Sequence, residues 1–213
     1  YRQGQPNWVT YLDIDALAEA EGKDWVFGGS VRQKGIDRMF VYLSVGGTDA
    51  SVLREFDLKT KQFVEDGFNI MTPLRGNYVS WINKDQVLVG SRADGGLTSD
   101  SEYPLTVRIW DRGQPLSPAK EIFRGAQKDL LAAPWVIWDE DLNQARDIIA
   151  LHEVSMQETS LHRWNPELQV TEKLPVPHLA SFEVDGDHVF VLLKEDFTLP
   201  SGKGFKDGDL LTM

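Results

Sequence analysis

The sequence predicts an all-β fold, a β-propeller segment of about four blades of four antiparallel strands each. Three observations carry this. Apolar residues come in short runs rich in β-branched and aromatic side chains (residues 38–44, 86–90, 147–151 and 188–193), too short for buried helices and suited to strands covered on both faces. Turn-forming pairs separate the runs: Gly46-Gly47, Gly95-Gly96, Asn165-Pro166, Asp185-Gly186 and Asp207-Gly208. Finally, an aromatic residue followed by Asp or Asn recurs as Phe56-Asp57, Trp110-Asp111 and Trp164-Asn165, at intervals of 54 residues. Each pair ends an alternating segment (52–55, 106–109, 160–163) and precedes a turn and another short strand (62–64, 121–123, 170–173). Trp25, Trp81 and Trp135 form a second series that opens the units, at intervals of 56 and 54. A four-stranded unit of about 50 residues cannot bury both faces alone, whereas units stacked around an axis bury each other's.

Taken in chain order, residues 9–14 read as an outer strand left over from a preceding blade. Asp15 then caps a short helix over residues 15–22, made of strong helix formers and ended by Gly22. Blades follow over about residues 25–65, 77–124 and 134–174, with an incomplete one over 178–213. In the last, 178–184 and 188–193 are strands one and two, and 209–212 begins strand three. Trp25, Trp81, Trp135 and Trp138 are expected as filler between blades. The leftover strand could complete the last blade and close a four-bladed ring; the simpler expectation is an open arc of a larger propeller. The chain opens on Tyr1 with a polar stretch over residues 1–7 and no signal peptide, which reads as a piece of something longer.

Composition narrows the function. The 213 residues carry a net charge of −11, which repels nucleic acid and anionic membrane surfaces. There is no cysteine, so disulfides, thiolate metal sites and a cysteine nucleophile are excluded. No apolar run approaches the ~18 residues of a membrane span. The compartment is left open.

The candidate chemistry is thin. Hydrolysis at a nucleophile elbow needs Gly-x-Ser-x-Gly between strand and helix; Gly28-Gly29-Ser30-Val31-Arg32 has Arg32 at the second glycine and no helix after it, so Ser30 reads as a strand-end serine. His152, His162, His178 and His188 lie more than five residues apart, without the short spacings of a zinc site. Asp13/Asp15, Asp139/Glu140/Asp141 and Asp185/Asp187 could in principle supply a glycosidase-like carboxylate pair, but all sit at turns or strand ends, where Asp bonds its own backbone. Asp185-Gly186-Asp187 lacks the further ligands of a calcium loop. Gly202-Lys203-Gly204 lacks the earlier glycine and following Ser or Thr of a phosphate loop and reads as a hairpin turn. No catalytic, cofactor-binding or metal-binding residue is assigned, and no cofactor is expected.

Several long runs resemble one family. They are Leu12-Asp13-Ile14-Asp15-Ala16-Leu17-Ala18 leading to Trp25-Val26-Phe27; residues 43–57, Leu43 to Asp57; Ser80-Trp81 through Val87-Leu88-Val89, then Leu97-Thr98-Ser99-Asp100-Ser101-Glu102-Tyr103-Pro104; Trp110-Asp111-Arg112-Gly113-Gln114-Pro115-Leu116; and, more weakly, Pro200-Ser201-Gly202-Lys203. Over residues 8–125, and more loosely beyond, the chain resembles the non-catalytic propeller of bacterial prolyl oligopeptidase family serine peptidases. The resemblance implies a parent enzyme in which a seven-bladed propeller caps an α/β-hydrolase domain with a Ser-His-Asp triad. That domain is absent here, and no triad residue carries over onto this sequence. The implied role is gating, so that only short peptides reach the serine; the implied partners are the hydrolase domain of the same parent chain and peptide substrates. The alternatives are a stand-alone propeller acting as a protein-interaction module and, further off, a carboxylate-dependent glycosidase. An open arc would expose apolar faces on its first and last blades, inviting self-association.

Overall fold

The computed structural model describes residues 8–185 and 187–212. Residues 9–13, read from sequence as a strand, are not one. A strand needs a neighbour for its backbone groups, and here the segment is touched by a side chain instead: Lys61 donates to the Thr10 carbonyl at 3.3 Å. Ile14 already belongs to helix α1 (Ile14–Glu21). Asp13, not Asp15, is the cap: its carboxylate accepts from the Ala16 amide at 3.0 Å. Gly22, at φ 61°, closes the helix in the left-handed region.

Among the described residues, four antiparallel sheets, one to a blade, and a separate two-stranded hairpin follow. β1 (Trp25–Arg32), β2 (Arg38–Val45) and β3 (Ser51–Asp57) pair in order, and both β4 (Gln62–Phe63) and β5 (Ile70–Leu74) pair with β3. The outer strand of blade 1 is therefore in two pieces, and the blade runs past residue 65 to Leu74. The gap exists because residues 64–69 wrap the Glu55 side chain, with Asn69 Oδ1 taking the Glu55 amide at 3.0 Å. Blade 2 is β6 (Tyr78–Asn83), β7 (Gln86–Gly90), β8 (Thr106–Asp111) and β9 (Lys120–Arg124); blade 3 is β10 (Leu131–Asp139), β11 (Gln144–Glu153), β12 (Thr159–Asn165) and β13 (Val170–Lys173). Blade 4 starts with β14 (Ala180–Asp185) and β15 (His188–Leu193). A small hairpin of β16 (Phe197–Thr198) and β17 (Gly204–Phe205) interrupts it before β18 (Leu210–Thr212) returns to pair with β15.

The core lies between blades. Phe40, Leu53 and Phe68 of blade 1 meet Val79, Trp81, Val89 and Trp110 of blade 2. Leu88 and Val107 meet Ala132, Ala150 and Trp164 of blade 3; Ile149 and Leu161 meet Val189, Val191 and Leu193 of blade 4. The face of blade 1 away from blade 2 (Trp25, Val41, Leu43, Val52, Phe56) is covered by Leu12 and the Ile14, Leu17 and Ala18 side of α1. Gly90 lets blades 2 and 3 approach: a Cβ there would sit 3.0 Å from the Ala132 carbonyl oxygen.

Phe56, Trp110 and Trp164 occupy equivalent places. Each is the last residue but one of its blade's third strand, buried, and on the face turned toward the preceding element: α1, blade 1 and blade 2 respectively. The Asp or Asn after each turns the chain. Asp57 Oδ1 accepts from the amides of Lys59 and Thr60, and Asn165 Oδ1 from those of Glu167 and Leu168. The Trp25, Trp81, Trp135 series is not equivalent. Trp25 begins β1 at the rim and donates to Glu21 of α1; Trp81 lies opposite Val87 and faces blade 1; Trp135 lies opposite Ile149 and packs toward Phe182 of blade 4. The even spacing of the three tryptophans conceals different positions along each first strand.

Blades 1 and 2 are also joined by charge. The Glu55 carboxylate, 0% exposed, accepts from Arg112 Nη1 and Nη2 and from Arg38 Nη1, each at 3.0 Å, and from the Phe68 amide at 2.8 Å. Arg112 lies over the Phe68 ring, 4.5 Å from its centroid.

Candidate functional site

The two rims of the stack differ. Most turns at one are short, as at 84–85, 140–143 and 166–169, with the eight-residue connection 112–119 beside them. The other carries the long loops 91–105 and 194–209 and the links between blades, the kind of segment on which function concentrates. Arg108, only 4% exposed, props the first of these loops by donating to the carbonyls of Ala93 (2.7 Å), Ser91 (3.0 Å) and Asp94 (3.3 Å). A buried arginine held by carbonyls alone leaves no mark in sequence spacing.

The long-loop rim also holds a constellation that spacing concealed. His152 Nε2 lies 2.8 Å from Asp129 Oδ2; Ser160 Oγ lies 3.3 Å from His152 Nδ1 and 2.9 Å from His162 Nε2. His152 and His162 are ten residues apart in sequence, but β11 and β12 pair antiparallel with His152 opposite Ser160. His162, two residues on, falls on the same face. The short turn between two alternating segments was the available signal. Burial, then the neighbouring His152 and Lys173, push His162 down to about 4.

Serine, histidine and aspartate in contact invite comparison with a catalytic triad. Ser160, however, is 3% exposed and engaged by two imidazoles, leaving no approach for an acyl group. Ser30 is exposed in the middle of β1, opposite Val41, and continues as strand.

The remaining candidates separate. His178 faces Glu158 at 3.5 Å, and His188 stands beside Asp187 and stacks on Phe190. Asp139, Glu140 and Asp141 come together with Asp185, Asp187, Arg146 and His188 around an open cleft of about 510 Å³ at the short-turn rim. Asp139 is occupied by its own turn, accepting from the amides of Asp141 and Leu142, and Glu140 is paired with Lys34. Among the described residues no three His, Asp or Glu side chains converge as a metal site. Gly186, the middle of Asp185-Gly186-Asp187, lies outside the described residues. Lys203 sits in the β16–β17 hairpin above the Phe205 ring. Asp13 and Asp15 belong to the start of α1.

No protein-family model matches the chain. An uncharacterized peptidase of Sinorhizobium fredii is 35% identical over 223 residues, which takes in 99% of this chain and 29% of that protein. An uncharacterized peptidase of Rickettsia prowazekii is 32% identical over 130 residues, 58% of this chain and 18% of that protein. The solved post-proline cleaving enzyme of Rickettsia typhi superposes on 98% of this chain and 31% of its own with a TM-score of 0.84 and 26% identity. The chain matches the β-propeller domain of prolyl oligopeptidase peptidases. A solved prolyl endopeptidase with 14% identity shares the fold, at a TM-score of 0.65 over 98% of this chain. This propeller segment spans under a third of the length of the relatives it matches.

Proposed function

We propose that this propeller segment is the non-catalytic wall of a prolyl oligopeptidase-like serine peptidase, gating access of short peptides to a hydrolase domain in the same parent chain. The superposition on the post-proline cleaving enzyme over nearly the whole segment carries this reading. The packing supplies the mechanism. Blades joined by interleaved aromatics and a buried ion pair form a stiff wall, and a stiff wall selects by size: an extended peptide passes, while a folded protein would first have to unfold. Cleavage after proline would be a property of the hydrolase domain. The serines support this division, since Ser30 stands in a strand opposite Val41, with no side-chain hydrogen bond to a base among the described residues, and Ser160 is inaccessible.

The test is a competition in the whole enzyme between a short proline-containing peptide and a folded protein carrying the same sequence in a loop. The intact enzyme is expected to cut only the peptide. Loosening blades 1 and 2 with Trp81→Ala should admit the folded substrate while peptide cleavage persists. Unchanged discrimination in a variant shown to be loosened would overturn the gating role.

A further inference from the structure

The hydrogen bonds around Ser160 can be assigned donor by donor. Asp129 Oδ2 already accepts from the Ala126 amide at 2.6 Å, and as a carboxylate it also takes the His152 Nε2 proton. In a neutral His152 ring Nδ1 is then an acceptor, so the Ser160 hydroxyl donates to it and its oxygen accepts from His162 Nε2–H. One added proton fits. With His152 charged, Nδ1–H donates to Ser160, whose hydrogen turns to His162 Nε2 once the neutral His162 ring carries its proton on Nδ1; both Ser160 bonds survive with their directions reversed, and the His152–Asp129 bond is unchanged. A second proton does not fit. Both rings would donate to the one hydroxyl oxygen, its hydrogen would lose its acceptor, and two cations would stand with ring centroids 5.8 Å apart.

The quartet sits where blades 2 and 3 meet. From β9 the Phe123 ring packs on His152 at 5.0 Å and on His162 at 4.5 Å; its charged neighbours Glu121 and Arg124 pair with each other. Asp129 arrives from the link between the blades, residues 125–130. Lys173 of β13 lies opposite His162, a cation that adds to the cost of charging it. Glu153 follows His152 on β11 and points to the other face. A Cβ at Gly125 would stand 3.1 Å from Asp129 Oδ2 and 3.2 Å from His152 Nε2, so the link is drawn tightly over the pair.

We propose that Asp129, His152, Ser160 and His162 form an acid-sensitive latch on the seam between blades 2 and 3, which holds one proton and opens on the second. Opening swings His162 toward water, frees Phe123 and loosens the link. Neither the peptidase reading nor any bound ligand is needed for this.

The experiment is hydrogen exchange with mass spectrometry on the intact protein, from about pH 7 to about pH 4, with protection factors corrected for intrinsic rates. Segments covering 120–131 and 159–165 should lose protection as pH falls, by at most about tenfold per pH unit, since one proton is taken up on opening. A segment covering 52–56, on β3 of blade 1 and away from this seam, should keep its protection. His162→Gln keeps an N–H donor but cannot charge; it should fold and remove the pH dependence from both seam segments. Ser160→Ala should leave the seam weakly protected at every pH. Protection at 120–131 that is flat with pH, or that falls equally in His162→Gln, would overturn the proposal.

Discussion

The two neighbouring seams of this segment are fastened by different chemistry. Between blades 1 and 2 the polar fastener is Glu55 gripped by Arg112 and Arg38, beside a stack in which Trp81 lies 4.5 Å from Phe40 and Phe68 meets Trp110 edge-on at 5.1 Å. Between blades 2 and 3, besides bonds from Ser80 to the Pro134 carbonyl and from Thr171 to the Ile122 carbonyl, it is a chain of two imidazoles, a hydroxyl and a carboxylate that ties the inter-blade link to blade 3 and packs on Phe123 of blade 2. Arginine stays charged at every ordinary pH and carboxylates are ionised near neutrality, so there the first seam has one state. Imidazole does not, so the second can be weakened by acid alone. One fold thus carries a permanent joint and a conditional one side by side.

Removing the aromatic centre of the permanent joint should have the largest effect. Trp81→Ala deletes a side chain buried against Phe40 and Phe68 and is expected to cost about 4 kcal/mol, read as a lower urea midpoint at every pH. Glu55→Ala comes next. It takes the shared carboxylate from Arg112 and Arg38, which keep the Lys84 carbonyl and Asp57 respectively, and leaves the Phe68 amide without its acceptor, an expected loss of about 2 kcal/mol, again independent of pH near neutrality. A pH-dependent loss in either variant would break the contrast between the seams.

The conditional joint should instead show itself in a slope. His162 is lowered by burial to about 4 in the folded chain, against 6.5 for the free group. Between these values the unfolded chain binds a proton that the folded chain refuses. Stability contributed by neutral His162 is therefore present above about 6.5 and lost as pH falls toward about 4. Urea midpoints measured across this window should fall for the native sequence and fall less for His162→Gln. The smallest effect lies away from both seams: Asp13→Ala removes the cap of α1, expected to cost about 1 kcal/mol and to leave the pH slope untouched.

The legible part of the molecule was what repeats locally. A strand-ending aromatic and the Asx turn after it are neighbours in sequence, so Phe56, Trp110 and Trp164 could be aligned without knowing what they touch. The tryptophan series misled because spacing along the chain does not report position along a strand whose turns differ in length. Residues 9–14 misled for another reason: strand-like composition makes no strand without an edge to pair with, and Asp13 offers a helix cap instead. Glu55 could not be read at all. Its partners, Arg38, Phe68 and Arg112, come from a strand, a break in an outer strand and the next blade. His152, Ser160 and His162 were nearer to legible, since pairing the segments on either side of 154–158 brings them together; treating histidines by sequence distance alone separated them.

The central claim is that this segment screens chemistry performed elsewhere. The most direct measurement is covalent labelling of the whole protein with a fluorophosphonate probe, followed by peptide mapping of the modified serine. The label is expected on a serine outside these 213 residues, with Ser30 and Ser160 unmodified. A label on either of those two, lost when that serine is replaced by alanine, would contradict it.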